Sequence, residues 1–300
     1  MARSKIEVDH GLTFRMFLVG LGLVLLYAIL GGVALRMGVG MPMVIGFGAI
    51  LLAAQYYFSG PIAMFSMRAH EVSPEEEPRL HAIVDRLCLM ADMPKPKVGI
   101  AEMDIPNAFA TGRNPKAAVV CATRGIMSRL DDEQLEAVLA HELSHVAHRD
   151  VAVMTIASGV GMLAGLVSRM AMWGAMFSGG GNDRNNNSGV AEIAAWLVSI
   201  VIYFIAFILT MALSRYRELS ADRSGAILIG KPSALASALV TITGDMGRIP
   251  RTDLRKAENG NAFFFVPALA GGTGATLFST HPSLQVRLDA LNKLERELNG

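Results

Sequence analysis

Charge is the first scarcity. Asp, Glu, Lys and Arg make up 18 % of the 300 residues, against about 25 % in an ordinary soluble domain. Apolar residues fill the difference, at 52 % of the chain. They are gathered in blocks, which points to a membrane protein and away from a soluble globular one. Cysteine is nearly absent. Cys88 and Cys121 fall in different segments and form no C-x-x-C pattern, so a disulfide framework and a thiolate metal site are both excluded. Two buried, reduced thiols are expected instead. Net charge is +1, without a long basic run, so no nucleic-acid surface is expected. No internal repeat is visible, which argues against a transporter built from duplicated halves.

The apolar blocks come in pairs. Residues 16–35 form an uncharged run of a length that crosses the hydrocarbon core as a helix. No small-x-small cleavage site follows, so a retained helix is expected. Arg36 and Gly38-Val39-Gly40 mark a short turn before a second run, residues 42–58, which Gly60-Pro61 is expected to end. A third run covers 151–168, is interrupted by Arg169 and continues through 170–177. The polar loop 178–189 follows, then a fourth run at 193–213 led in by Glu192, with Arg215 and Arg217 marking its exit. Arg169 and Glu192 are ionisable groups within these runs, and a mutual salt bridge or snorkelling accounts for them. Four spans place both termini and both polar regions on one side. Arg3, Lys5, Arg68, Arg215, Arg217 and Arg223 crowd that side, whereas the opposite loops hold little beyond Arg36 and Arg184. By the positive-inside rule that side is cytoplasmic.

The expected organisation is therefore a first hairpin at 1–66, a catalytic region at 67–150, a second hairpin at 151–213 and a C-terminal catalytic region at 214–300. In the first polar region, Ser73-Pro74-Glu75-Glu76 reads as a helix start, with Ser73 as N-cap and Glu76 closing a capping box. Leu80, Ile83, Val84, Leu87 and Cys88 give that helix its apolar face. Residues 97–102, 107–110 and 117–123 read as short strands. Asp131 or Asp132 caps the next helix, which runs on to Arg149-Asp150. The second polar region holds an expected helix over 233–246 and the cluster Phe263-Phe264-Phe265. A last helix carries Leu284, Leu288, Leu291, Leu294 and Leu298 on one face.

The chemistry is stated at His141-Glu142-Leu143-Ser144-His145. Leu135, Val138, Leu139, Leu143 and Val146 recur at helical spacing. The two histidines then lie one turn apart and can reach one metal ion, while Glu142 points close by without ligating it. That is where a base must sit to take a proton from an activated water. H-E-x-x-H arises by chance in roughly one chain in a hundred of this length. A catalytic zinc needs a third protein ligand. His148 lies nearly two turns beyond His141, too far along for a compact site, and Asp150 is better suited to a hydrogen bond with a neighbouring backbone or histidine. Glu218 and Asp222 lie one helical turn apart. A ligating carboxylate followed by one that orients a ligand histidine suits a zinc site. Taken alone, the pair also reads as a solvated face balanced by Arg215, Arg217 and Arg223.

H-E-L-S-H at 141–145 together with R-x-x-E-L-S-A-D at 215–222 resembles the HtpX-type membrane zinc metalloproteases, relatives of the CAAX prenyl endopeptidases. The resemblance covers nearly the whole chain. It implies a mainly α membrane protein with four transmembrane helices in two hairpins. A cytoplasmic α+β zincin-like catalytic domain would be assembled from two sequence segments. It further implies one zinc ion held by His141, His145 and Glu218, with Glu142 as catalytic base. Asn107-Ala108-Phe109 matches the family's substrate-binding strand motif, and an exposed strand edge can pair with a peptide backbone. Ser279-Thr280-His281-Pro282 with Arg287 resembles the C-terminal H-P…R element, which gives His281 to oxyanion stabilisation and Arg287 to bracing Glu218 and Asp222. From the residues alone, His281-Pro282 equally reads as the start of an amphipathic helix. The implied role is a plasma-membrane endopeptidase acting on peptides or misfolded membrane proteins in quality control and stress response. Specific processing of lipidated or membrane peptides is the alternative within that chemistry. A non-catalytic membrane scaffold with structural zinc is the alternative from another class.

Overall fold

A computed structural model describes residues 10–37, 41–178, 187–246 and 281–299. Arg3, Lys5, Arg184 and Phe263–Phe265 lie outside the described residues, as does the side chain of Glu192. The elements, in order, are α1 (His10–Arg36), α2 (Met41–Ser66), β1 (Ala69–Glu71), α3 (Pro78–Ala91), β2 (Lys97–Ala101), β3 (Ala108–Thr111) and β4 (Val119–Thr123). They continue with α4 (Arg124–Arg129), α5 (Asp132–Ala147), α6 (Asp150–Ser178), α7 (Asn187–Ile229), α8 (Pro232–Met246) and α9 (Leu284–Asn299). The protein is mostly helical. Among the described residues, four helices are long and apolar enough to cross a membrane: 13–36, 45–66, 150–173 and 193–229.

The described residues form two compact units. One takes in residues 13–56 and 153–213, the apolar parts of α1, α2, α6 and α7. Leu23, Leu26, Leu30 and Ala34 of α1 pack there with Ala157, Val160 and Ala164 of α6 and Ile202 and Ala206 of α7. Small side chains at such contacts let helix backbones approach, which is how helices associate where lipid removes the hydrophobic drive. Two polar groups find partners inside the unit: the Tyr27 hydroxyl donates to the Ile156 carbonyl at 2.8 Å, and Gln55 Nε2 to Ser158 Oγ at 2.5 Å. Phe14, Phe17, Val24, Ile50, Val201 and Phe204 point outward, as lipid-facing residues must. Arg169 is exposed within an unbroken α6 rather than interrupting it.

The other unit holds, of the described residues, 10–12, 57–152, 214–246 and 281–299. Its sheet has the order β1-β2-β4-β3. β2 and β4 are parallel, and β1 and β3 flank them antiparallel. Among the described residues β3 is thus an edge strand. Leu80, Val84 and Leu87 of α3, Val98 and Ile100 of β2, Val120 of β4, Leu135, Leu139 and Leu143 of α5, Leu235 and Leu239 of α8 and Leu291 of α9 form one continuous core. Both cysteines are free and buried. Of the apolar face expected for α9, Leu291 and Leu294 are buried, whereas Leu298 is exposed.

Several expected boundaries move, each for a physical reason. Ser73 and Glu76 do exchange reciprocal hydrogen bonds, at 2.7 and 3.3 Å, but they close a turn that precedes the helix. Pro78 has no N–H to donate back to Pro74, so the helix starts afresh with Pro78 in its first turn. α2 runs past Pro61 to Ser66. One lost backbone bond is outweighed by Ala63 and Met67, which lie fully inside the core. α5 stops at Ala147 instead of reaching Arg149-Asp150, because Arg149 adopts a left-handed φ of 56° before α6 begins. α7 does not end at Arg215 or Arg217 but continues to Ile229, since Ala221, Ser224, Gly225 and Ala226 beyond them are all buried. β1, only three residues long, is too short to show a period of two.

Candidate metal centre

α5 begins with Asp131, whose carboxylate accepts from Gln134 N at 2.8 Å while the Gln134 side chain bonds back to Asp131 N. Leu135, Val138, Leu139 and Leu143 turn into the core, and His141, Glu142 and Ser144 are buried with them. The helix is therefore anchored along its length, and its two histidines cannot drift. Their rings meet edge to face, 4.7 Å between centroids. The two Nε2 atoms face each other at 3.1 Å.

α7 brings the third donor. Glu218 Oε2 lies 3.7 Å from His141 Nε2, and Oε1 lies 3.4 Å from His145 Nε2. These three residues form a group able to hold a metal ion. Donors about 2.0–2.1 Å from a tetrahedral ion sit about 3.3 Å apart, close to the three separations here. The ring nitrogens on the far side support the same conclusion. His141 Nδ1 lies 2.9 Å from Asp222 Oδ1, and His145 Nδ1 lies 2.5 Å from Asp150 Oδ2. A hydrogen at each Nδ1 leaves each Nε2 lone pair aimed at the common point, as in carboxylate–histidine–metal chains. The surroundings act in opposite directions on the two rings. Burial opposes a charge on His145, but Asp150 and Glu218 outweigh it and raise its pKa to about 10. Burial dominates at His141 and lowers it to about 4.

Glu142 stands beside the three donors, outside the group. Burial first, with Glu218 adding, raises its pKa to about 7 against the lowering effect of His145 and of a backbone hydrogen bond. That bond comes from Ala110 N at 2.9 Å. Ala110 belongs to β3, so the buried acid is tied directly to the edge strand. Of the expected strand residues, Ala108 and Phe109 lie in β3 and Asn107 leads into it. Asn107 is held by its N–H to Thr123 Oγ1 at 2.9 Å and by its carbonyl to Thr123 N at 2.9 Å. Since Asn107 faces β4 and Ala110 faces Glu142, alternation turns the peptide groups of Ala108 and Ala110 outward. His281 lies against the cluster, its Nδ1 2.8 Å from Glu218 Oε2. Arg287 is almost fully buried and grips Asp222 through Nε at 2.8 Å and Nη2 at 2.6 Å. His148 is the C-cap of α5 rather than a member of the cluster.

Three contacts escape the sequence reading. The Ala110 N–H is a backbone group, and no residue type announces it. Arg217, read from the sequence as a charge at the exit of a membrane run, also pairs with Asp150 at 2.9 Å. Gly225 shares a helical face with Glu218 and Asp222, and a Cβ there would sit 2.7 Å from the backbone nitrogen of His141. Only glycine lets α7 approach α5 this closely. Gly225→Ala is expected to part the two helices, cost about 1–3 kcal/mol as an overpacked contact, and weaken metal binding. Thermal unfolding with and without added zinc checks this, and a variant with wild-type unfolding and zinc content would refute it.

Residues 74–295 match Peptidase family M48. Protease HtpX homolog 1 of Streptomyces coelicolor is 50 % identical over 99 % of this chain and 97 % of its own. The Protease HtpX homolog of Moorella thermoacetica is 50 % identical over 99 % and 98 %. The crystal structure of S. mikatae Ste24p superposes with a TM-score of 0.51 at 16 % identity, covering 94 % of this chain and 66 % of that longer one, a likeness of fold. The buried His-His-Glu group, the four apolar helices and these full-length similarities lead to one assignment: the chain belongs to peptidase family M48, as an HtpX-type membrane metalloprotease.

Proposed function

We propose that this metalloendopeptidase holds one zinc ion through His141, His145 and Glu218 and cuts peptide bonds at the cytoplasmic face of the plasma membrane. The observation that carries the reading is the pairing of three convergent donors with a separate acid, Glu142, fastened to an edge strand. Among the described residues the cluster has three members; a structural zinc site closes its shell with four. That difference favours catalysis over a scaffold. When bound, zinc supplies Lewis-acid activation of water and of the scissile carbonyl.

The chain's own residues do the rest. A peptide lies along β3 and pairs with the outward N–H and carbonyl of Ala108 and the carbonyl of Ala110, whose N–H is held by Glu142, with Asn107 and Phe109 holding the strand against β4. Glu142 takes a proton from the attacking water and returns it to the leaving amine. His281 stabilises the oxyanion, a role supported by its position against Glu218. Arg287 and Asp222 keep His141 turned toward the donors. The catalytic region is assembled from residues 67–150 and 214–300, and the hairpins 1–66 and 151–213 anchor it. The cytoplasmic orientation rests on the cations flanking the span ends. Among the described residues these are Arg68, Arg215, Arg217 and Arg223, of which Arg217 and Arg223 also pair with Asp150 and Glu297. Misfolded membrane proteins are the proposed substrates, in quality control under stress.

The test is cleavage of a model membrane protein by the purified full chain. Activity should vanish with a chelator and return with zinc. A comparison of cellular cleavage products between wild type and an inactive variant then separates the roles. Many membrane substrates would support quality control, and one or two defined cuts would point to processing. Chelator-insensitive cleavage would overturn the metal chemistry altogether.

A further inference from the structure

We propose that Arg217 and Asp150 form a positioning pair for His145, a clamp through which two membrane helices set the orientation of the second ligand. The proposal rests on the reading of His141, His145 and Glu218 as zinc ligands. Asp150 is buried, and its Oδ2 receives both His145 Nδ1 at 2.5 Å and Arg217 Nη2 at 2.9 Å. Arg217 is itself nine-tenths buried.

The geometry needed to bring Asp150 there is unusual. α5 ends at Ala147, His148 caps it, and Arg149 takes a left-handed φ of 56°. That backbone conformation is costly for a side-chain-bearing residue. It turns the chain so that Asp150, five residues after His145, comes back beneath the His145 ring. A carboxylate that touched the imidazole alone could swing about its own side-chain torsion and take the ring with it. A guanidinium nitrogen on the same oxygen, Arg217 Nη2 at 2.9 Å, gives the carboxylate a second fixed partner and restrains that swing.

The arrangement mirrors the one behind the first ligand. There Arg287 holds Asp222, and Asp222 faces His141 Nδ1. Each histidine is thus backed by an aspartate, and each aspartate by an arginine. The difference lies in where the parts come from. Asp150 is the first residue of α6, and Arg217 belongs to α7, both helices long enough to cross a membrane. The second ligand therefore keeps its orientation only while these two helices hold register at this contact.

Zinc affinity of the purified full chain, measured by competition with a chromophoric chelator, tests the pair. Arg217→Met is expected to weaken zinc about 10–100-fold, with KM for a peptide substrate unchanged. Arg217→Lys, which keeps the charge without the fork, should recover part of the loss. Asp150→Asn should weaken zinc as well, and the double variant should be no weaker than Asp150→Asn alone, because Arg217 acts through Asp150. Wild-type zinc affinity in Arg217→Met would overturn the proposal. So would a double variant showing the full sum of the two losses, or a rise in KM, which would assign the pair to the peptide. Should Arg217→Met fail to fold, Arg217→Gln decides by the same affinity measurement. His145→Ala separates the two layers of the argument. Zinc retained in that variant would sink the ligand assignment itself, whereas zinc lost there but kept in Arg217→Met would sink only the clamp.

Discussion

Glu142→Gln should bind zinc as wild type does and lose about 10²–10⁴-fold in kcat/KM, the usual contribution of a positioned general base, or about 3–5 kcal/mol of transition-state stabilisation. The substitution is clean for reasons visible around the side chain. Gln keeps an oxygen to accept the Ala110 N–H, which now bonds Glu142 Oε2 at 2.9 Å, so the link between α5 and β3 survives. Glu142 is buried, and that burial holds its pKa at about 7. His141, His145 and Glu218 keep their mutual distances of 3.1, 3.4 and 3.7 Å, so metal content should not change. Zinc per chain by elemental analysis, alongside cleavage by the same preparation, reads both halves of the prediction. Turnover within tenfold of wild type would remove Glu142 from the mechanism, and loss of zinc would make it part of the metal shell.

The extent to which the sequence discloses this site depends on how local each contact is. His141, Glu142 and His145 share one helix, so their spacing alone sets their geometry. Asp131 and Gln134, capping that helix, are equally local. Glu218 and Asp222 also declare a common face through their spacing. What joins the two helices is not local. Gly225 meets the backbone of His141 across more than eighty residues of chain, and only its helical register with Glu218 hints at a role. Arg217 was legible as a charge at a membrane edge, yet its partner Asp150 becomes visible only after Arg149 turns the chain back. The same division holds for the fold. The long apolar runs announce the membrane helices, whereas the passage of α2 through Pro61 depends on where Ala63 and Met67 come to rest. The restart of α3 was readable in principle, since Pro78 cannot donate a helical hydrogen bond, but the capping-box pattern at Ser73 and Glu76 masks it.

Glu218→Ala is the second large effect expected, and it falls on the metal rather than on turnover alone. Zinc binding to a complete four-ligand site is worth about 10–16 kcal/mol. One ligand's share is then about 3 kcal/mol, and its loss weakens zinc by at least about a hundredfold. The neighbours cannot repair the gap. Asp222, one turn further along α7, lies behind His141 at 2.9 Å from Nδ1 and is gripped by both arms of Arg287. To ligate, it would have to abandon the arginine and release the His141 ring together. His281 touches the lost carboxylate through Nδ1 at 2.8 Å and would lose that contact. Glu218→Gln should fall nearly as far, because an amide oxygen carries no formal charge to offset the ion. Zinc titration against a competing chelator measures both variants. One zinc per chain at wild-type affinity in Glu218→Ala would mean that a residue outside this cluster completes the shell. A hundredfold or greater loss with the fold intact would leave α7, the continuation of a membrane helix, as the element that delivers the third ligand.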